Sequence, residues 1–145
     1  MLMKPDPDSP ENFQIQRKDF EPVKETLKIK VGVDLINIKR FKKALKSGGK
    51  EFVNRAFNQA EFSQSKEKGI ASLASIFAGK EAVIKALNLS AESWLAIEIL
   101  HSKTGRPEVF FLDKKIKNKL KGFDLSISHT REHVIAFFVC FLADE

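Results

Sequence analysis

The sequence predicts the α+β class, with a mainly antiparallel sheet wrapped on one long helix. Three observations lead there. Runs of strand length rich in Val, Ile and Phe recur along the chain. Most successive runs are joined by a turn or a short helical segment, which favours antiparallel neighbours. One stretch, Ile70 to Leu89, has no proline and only Gly79 as a glycine, and its Ala, Leu, Ile and Lys content gives strong helix propensity.

Taken in order, Met1 to Leu27 holds Pro5, Pro7, Pro10 and Pro22 and little periodic apolar pattern, so it reads as a flexible or loosely docked extension outside the core. Lys28 to Ile38 is the first strand. Lys39 to Lys46 is a basic amphipathic helix, Ser47-Gly48-Gly49 breaks it, and Lys50 to Phe57 and Gln59 to Lys68 are two further short helices. After the long helix, Leu95 to Ser102 and Glu108 to Leu112 flank the turn Thr104-Gly105-Arg106-Pro107 as a hairpin. A short basic helix over Asp113 to Lys121 leads through Gly122 to the strand Phe123 to Ser128, and His133 to Leu142 is the last strand.

With 145 residues and 43% apolar content, the chain has enough material for one core and too little for two ordinary domains, so residues 28–145 are expected to form a single domain. The net charge is +6, but residues 1–27 hold four bases and six acids, which leaves the remainder at +8. The folded part is the basic part, suited to an anionic partner such as a phosphate compound, a nucleic acid or an acidic protein. No apolar run approaches the roughly 18 residues of a membrane span, and the N-terminal stretch lacks a signal peptide's apolar segment. Cys140 is the lone cysteine and lies in an apolar run, where a buried thiol is expected and no disulfide framework exists. A cytoplasmic protein without membrane attachment follows.

A few residues resist a purely structural reading. Asp34 sits in the apolar VGVDLINI, where its carboxylate needs a partner: a metal, a hydrogen-bond donor, a helix to cap or a lysine. At about 100° per residue, Ile70, Leu73, Ala74, Phe77 and Ile84 share one arc of the long helix with Glu81 at its edge. Lys80 falls on the same arc, so either the helix is covered on more than one side or Lys80 snorkels. Lys85 is one turn beyond Glu81, the spacing of an ordinary helix ion pair. His129 follows the LSIS strand and precedes Thr130, where ring nitrogen and backbone N–H groups suit an anion. His129 and His133 are four apart but lack the further ligands of a zinc site. Phe110-Phe111 and Phe137-Phe138 alternate with aliphatics and read as core rather than as a base-stacking platform.

In order, VGVDLI, FAGKEAVIKAL, TGRP and LSISHT with its following apolar strand resemble the holo-acyl-carrier-protein synthase type of 4′-phosphopantetheinyl transferase, over residues 29–142. That family moves the phosphopantetheine arm of coenzyme A onto a serine of an acyl carrier protein and releases adenosine 3′,5′-bisphosphate. The resemblance implies that fold, and Mg²⁺ held by Asp34 and Glu81 with pyrophosphate oxygens and water completing its shell. It implies that Lys85 faces the same phosphates, that Gly105, Arg106, Pro107, His129 and Thr130 bind the coenzyme, and that Arg40 contacts an acidic carrier protein. The serine proton goes to a water at the metal or to one of the carboxylates. A homotrimer with active sites between subunits is implied as well. Two positions depart from the pattern: Lys30 replaces a glycine, and Asn37 replaces a glutamate.

Two other functions use similar residues. A metal-dependent nuclease needs Glu-x-Lys on a strand, whereas Glu81 and Lys85 lie on a helix. A nucleic-acid-binding module explains the charge but not Asp34 or the Ser-His-Thr segment, so no nucleic-acid partner is expected. An inactive family member acting as a scaffold is the non-enzymatic alternative.

Overall fold

The computed structural model describes residues 27–143, so the expected N-terminal extension lies outside the described residues apart from Leu27. Strand β1 (Lys28–Asn37) runs into helix α1 (Ile38–Ala56), followed by α2 (Gln59–Ser65) and the long α3 (Ile70–Leu87). A 3-10 turn over Ala91–Ala96 leads to β2 (Ile97–His101) and β3 (Pro107–Phe111); α4 (Lys114–Lys119), β4 (Leu120–His129) and β5 (His133–Leu142) follow. Every strand pairing is antiparallel, as expected, but the strands divide into a three-stranded sheet ordered β1-β5-β4 and a separate β2-β3 hairpin.

The expected break at Ser47-Gly48-Gly49 is present, at Gly49, and divides α1 into two helical halves. Only Gly49 leaves helical geometry, at φ 54° and ψ −141°, and α1 continues to Ala56. The long helix stops at Leu87 because Asn88 adopts the left-handed conformation (φ 52°) that closes many helices. Leu95 and Ala96, expected in a strand, belong to the 3-10 turn.

Helix α3 is the centre of the molecule. It packs on β1 and β5 along one side and on α1, α2 and β2 along others, and Ala74, Ile76, Ala78, Ala82 and Val83 are fully buried. Its close seat on β1 depends on Gly32, where a Cβ would lie 1.9 Å from the Ala82 carbonyl oxygen and 2.8 Å from the Ala86 nitrogen.

The opposite face of the sheet is bare. Ile29, Val31, Val33 and Leu35 of β1 and Ile135 and Phe137 of β5 all point outward and are 44–65% exposed. Phe111 and Phe138 are core, as expected, whereas Phe110 and Phe137 are about half exposed, because strand alternation sends neighbours to opposite faces. Cys140 is fully buried, and burial pushes its thiol up. Among the described residues no helix is long and apolar enough to cross a membrane.

Candidate active site

The alternation that turns Gly32 inward also turns Asp34 inward, against α3. Glu81 and Lys85, one turn apart on α3, meet it there. Lys85 Nζ donates to Asp34 Oδ1 at 2.8 Å and to the Val33 carbonyl at 3.1 Å. The Asp34 side chain keeps only 13% of its exposure, while that of Lys85 keeps 51%. Lys85 therefore pairs across to β1 and not with Glu81 along the helix. Burial first, then the negative charge of Asp34, pushes the Glu81 carboxyl above its usual range, with Lys85 opposing the shift.

Two carboxylates close enough to repel, one of them poorly hydrated, form a site that a small cation relieves. Mg²⁺ fits that donor set, because it takes one or two protein carboxylates and fills its shell with water and substrate phosphate oxygens. Among the described residues no group of three or more His, Cys, Asp and Glu side chains gathers, so an ion here would have at most these two carboxylates from the described part of the chain.

The other residues singled out in the sequence are spread around this cluster. His129 ends β4, exposed, on the same inward-turning register as Ile127, which aligns with Ala136 and Asp34 across the sheet. Strand spacings put it roughly 12 Å from Asp34, too far to share a small ion and within the span of a nucleotide. The Thr130 hydroxyl accepts from the backbone of Glu132 (3.2 Å) and His133 (3.1 Å), closing the β4–β5 turn. Gly105 takes the turn at φ 85°, and Arg106 donates twice to Asp124, at 3.0 and 2.9 Å. Asp124 lies on the outer face of β4, so within one chain Gly105, Arg106 and Pro107 stand apart from the Asp34 cluster.

Arg40 is exposed in the first turn of α1, and its backbone N–H donates to the Asn37 side chain at 3.0 Å. Asn37 is thus the N-cap of α1, a role that asparagine fills well. Lys30 sits opposite Cys140, four residues down β1 from Asp34.

Sequence reading missed two features. Of the two readings of Lys80, cover on more than one side of α3 is the one that holds, but its partner was missed: it is fully buried and paired at 2.9 Å with Glu61, which is also fully buried. The Asn58-x-x-Glu61 spacing signals a helix cap, and the cap is present, but nothing local marks Glu61 as buried. The second feature is an apolar cavity of about 490 Å³ lined by Phe52, Arg55, Ala56, Phe77, Trp94 and Leu95. Phe77 places it one turn of α3 from Glu81.

A Gly-backed aspartate, a Glu-x-x-x-Lys helix facing it and a Ser-His-Thr strand end coincide with a family pattern: residues 30–138 match the model of the 4′-phosphopantetheinyl transferase superfamily. The chain belongs to that superfamily. One 4′-phosphopantetheinyl transferase, the holo-[acyl-carrier-protein] synthase of Dehalococcoides mccartyi, is 44% identical over 113 residues, covering 74% of this chain and 94% of the relative. The crystal structure of the synthase from Neisseria meningitidis superposes with a TM-score of 0.69 at 31% identity, over 77% of this chain and 96% of that one. The Helicobacter pylori synthase, solved in complex with coenzyme A, gives 0.69 at 32%, over 76% and 98%. The α+β architecture expected from the sequence is the phosphopantetheinyl transferase fold of these enzymes.

Proposed function

We propose that the protein is a holo-[acyl-carrier-protein] synthase, which transfers the 4′-phosphopantetheine group of coenzyme A to a serine of an apo acyl carrier protein and releases adenosine 3′,5′-bisphosphate. The observation that carries the reading is the Asp34–Lys85–Glu81 cluster at the β1–α3 contact, in a chain of this superfamily. Asp34 and Glu81 hold Mg²⁺, which when bound offsets the charge that gathers on the pyrophosphate oxygens during attack. Lys85, anchored at the base and half exposed, presents its ammonium to the same phosphates. His129 and Thr130 from the β4 end, with Gly105, Arg106 and Pro107, hold the nucleotide.

The carrier docks along α1, whose start carries Arg40 and whose end carries Arg55 beside the apolar cavity. An acidic partner with an apolar residue at its tip suits that combination. The working assembly is a homotrimer, and the site lies between subunits. Support comes from the outer face of β1 and β5, where six apolar side chains stand exposed side by side, as at a surface that meets another protein. Residues 28–145 are the transferase domain and 1–27 an extension to it. The protein works in the cytoplasm, a place suited to a single buried cysteine.

Incubating the protein with coenzyme A, Mg²⁺ and an apo carrier protein, and reading the mass gain on the carrier, tests the activity. Asp34→Ala and Glu81→Ala each lower the rate by about a hundredfold or more, because the lost charge stabilisation is worth several kcal/mol. An unmodified carrier with the wild-type protein overturns the transferase reading; near wild-type rate and Mg²⁺ dependence in either variant overturns the metal assignment.

A further inference from the structure

We infer that the buried Lys80–Glu61 pair is a positioning device that fixes the rotation of α3 about its axis, and through it the direction of Glu81; the inference rests on the metal-site reading above. Glu61 Oε1 accepts from the Ile99 backbone N–H at 2.8 Å. Its Oε2 accepts from the Asn58 N–H at 2.8 Å and from Lys80 Nζ at 2.9 Å. One carboxylate therefore ties the start of α2, strand β2 and helix α3 together. The Lys80 ammonium also lies 5.9 Å from the Trp94 ring centroid, within cation–π range.

Burial alone gives no reason for this pair. Both groups are at 0% exposure, and burial pushes Glu61 up and Lys80 down. Desolvating two charges costs about as much as their attraction returns, and apolar residues of equal volume stabilise a fold as well or better. The best-attested use of such pairs is to select one packing arrangement among several.

Helix α3 needs that selection. Ten of its residues are buried, and they surround it rather than forming one stripe, so apolar packing leaves its roll poorly defined. At about 100° per residue, Lys80 projects about 160° away from Ala82, the residue that abuts Gly32. The contact with Gly32 grips α3 on the sheet side, and the ion pair grips it nearly opposite. Glu81 projects about 100° onward from Lys80, between the two grips. With side-chain tips roughly 5–6 Å from the axis, a roll of about 10° displaces the Glu81 carboxylate by about 1 Å. Mg²⁺ demands near-ideal octahedral geometry at about 2.0–2.1 Å, so that displacement decides whether Glu81 and Asp34 share the ion.

The test is Mg²⁺ binding to the protein with saturating coenzyme A and no carrier, read by calorimetry well below the melting temperature, together with the Mg²⁺ half-saturation of transfer. In the volume-conserving double variant Glu61→Gln/Lys80→Met, the expected result is a folded protein whose Mg²⁺ dissociation constant rises about tenfold or more. A purely structural role shifts melting and leaves that constant alone, so a cooperative fold with Mg²⁺ affinity within about twofold of wild type overturns the inference. Should the double variant not fold, Glu61→Asp decides: it keeps both charges and shortens the arm by one methylene, so affinity falls about threefold or more if the pair steers α3, and unchanged affinity overturns it. Asp34→Asn, run in parallel, separates the two readings. If Asp34→Asn loses Mg²⁺ and the pair variants do not, only the positioning role fails; if Asp34→Asn binds as wild type does, the metal reading fails and the inference with it.

Discussion

Gly32→Ala is the sharpest single perturbation of this fold, because the added methyl has no room and its neighbour cannot yield. The new Cβ would sit 1.9 Å from the Ala82 carbonyl oxygen, an atom of the α3 backbone and not the end of a flexible side chain. An ordinary carbon–oxygen contact is about 3.3 Å, so α3 must withdraw from β1 by about 1.4 Å or tilt by an equivalent amount. Overpacking a core costs about 1–3 kcal/mol, and a clash with backbone belongs at the upper end, near 3 kcal/mol. For a domain of this size that lowers Tm by about 12 °C. The same withdrawal stretches the 2.8 Å bond from Lys85 to Asp34 past hydrogen-bonding range, so activity falls further than the loss of folded protein explains. Gly122→Ala is the control: its Cβ would meet only Phe141 Cδ2, at 3.8 Å, and it should change Tm by no more than a few degrees. Thermal melts of the three proteins, with activity normalised to folded fraction, decide the matter. A Gly32→Ala protein that melts within about 3 °C of wild type refutes the close-packing argument.

Other outcomes follow from the same geometry. Burial and Asp34 raise the Glu81 carboxyl above its ordinary range, so its contribution to stability is present below that range and lost as pH rises through the raised one. Metal-free Glu81→Gln should therefore melt higher than wild type at neutral pH, with the gap closing on acidification, and a gap independent of pH would contradict the cause assigned. Arg40→Glu should raise KM for the carrier and leave that for coenzyme A nearly unchanged, and in the wild type the carrier KM should rise with salt; equal effects on both substrates would remove Arg40 from the docking surface. Deleting residues 1–27 should leave a cooperatively melting domain, as calorimetry can check. If sites are shared between subunits, co-refolding inactive Asp34→Ala with inactive Arg106→Ala should restore part of the activity, whereas a site complete within one chain restores none.

Much of the fold was legible because it is local. The runs rich in Val, Ile and Phe located all five strands, with β4 starting at Leu120 rather than at the expected Phe123, and the composition of Ile70 to Leu89 gave α3 to within two residues. Asp34 stood out because a carboxylate in an apolar strand is expensive, and the structure does set it facing α3 beside Glu81 and Lys85. What escaped was non-local. Glu61 and Lys80 are 19 residues apart, so although Lys80 stood out on the apolar arc of the long helix, nothing local pointed to Glu61 as its partner. That Lys85 is the lysine paired with Asp34 was not legible, because spacing along a helix is visible in a sequence and the approach of β1, 51 residues away, is not. The break at Gly49 was legible from the paired glycines, whereas the contacts of Phe41 and Phe52 with Phe77 that hold both halves of α1 on α3 were not.

The charged residues of α3 divide by direction, and the division accounts for why adjacent positions differ so much. Lys80 turns into the molecule and meets a single carboxylate that also accepts two backbone N–H groups, so its charge is fully answered. Glu81, next in sequence, turns toward Asp34, where a like charge opposes it and one lysine is shared. The first arrangement is closed and suits a structural fixture. The second is left with excess negative charge at a partly open surface, which a fold has no reason to maintain for its own stability. Conflict of that kind, built where Gly32 lets α3 sit close on β1, is the physical ground for proposing the chemistry at Asp34 and Glu81 and the support for it at Glu61 and Lys80.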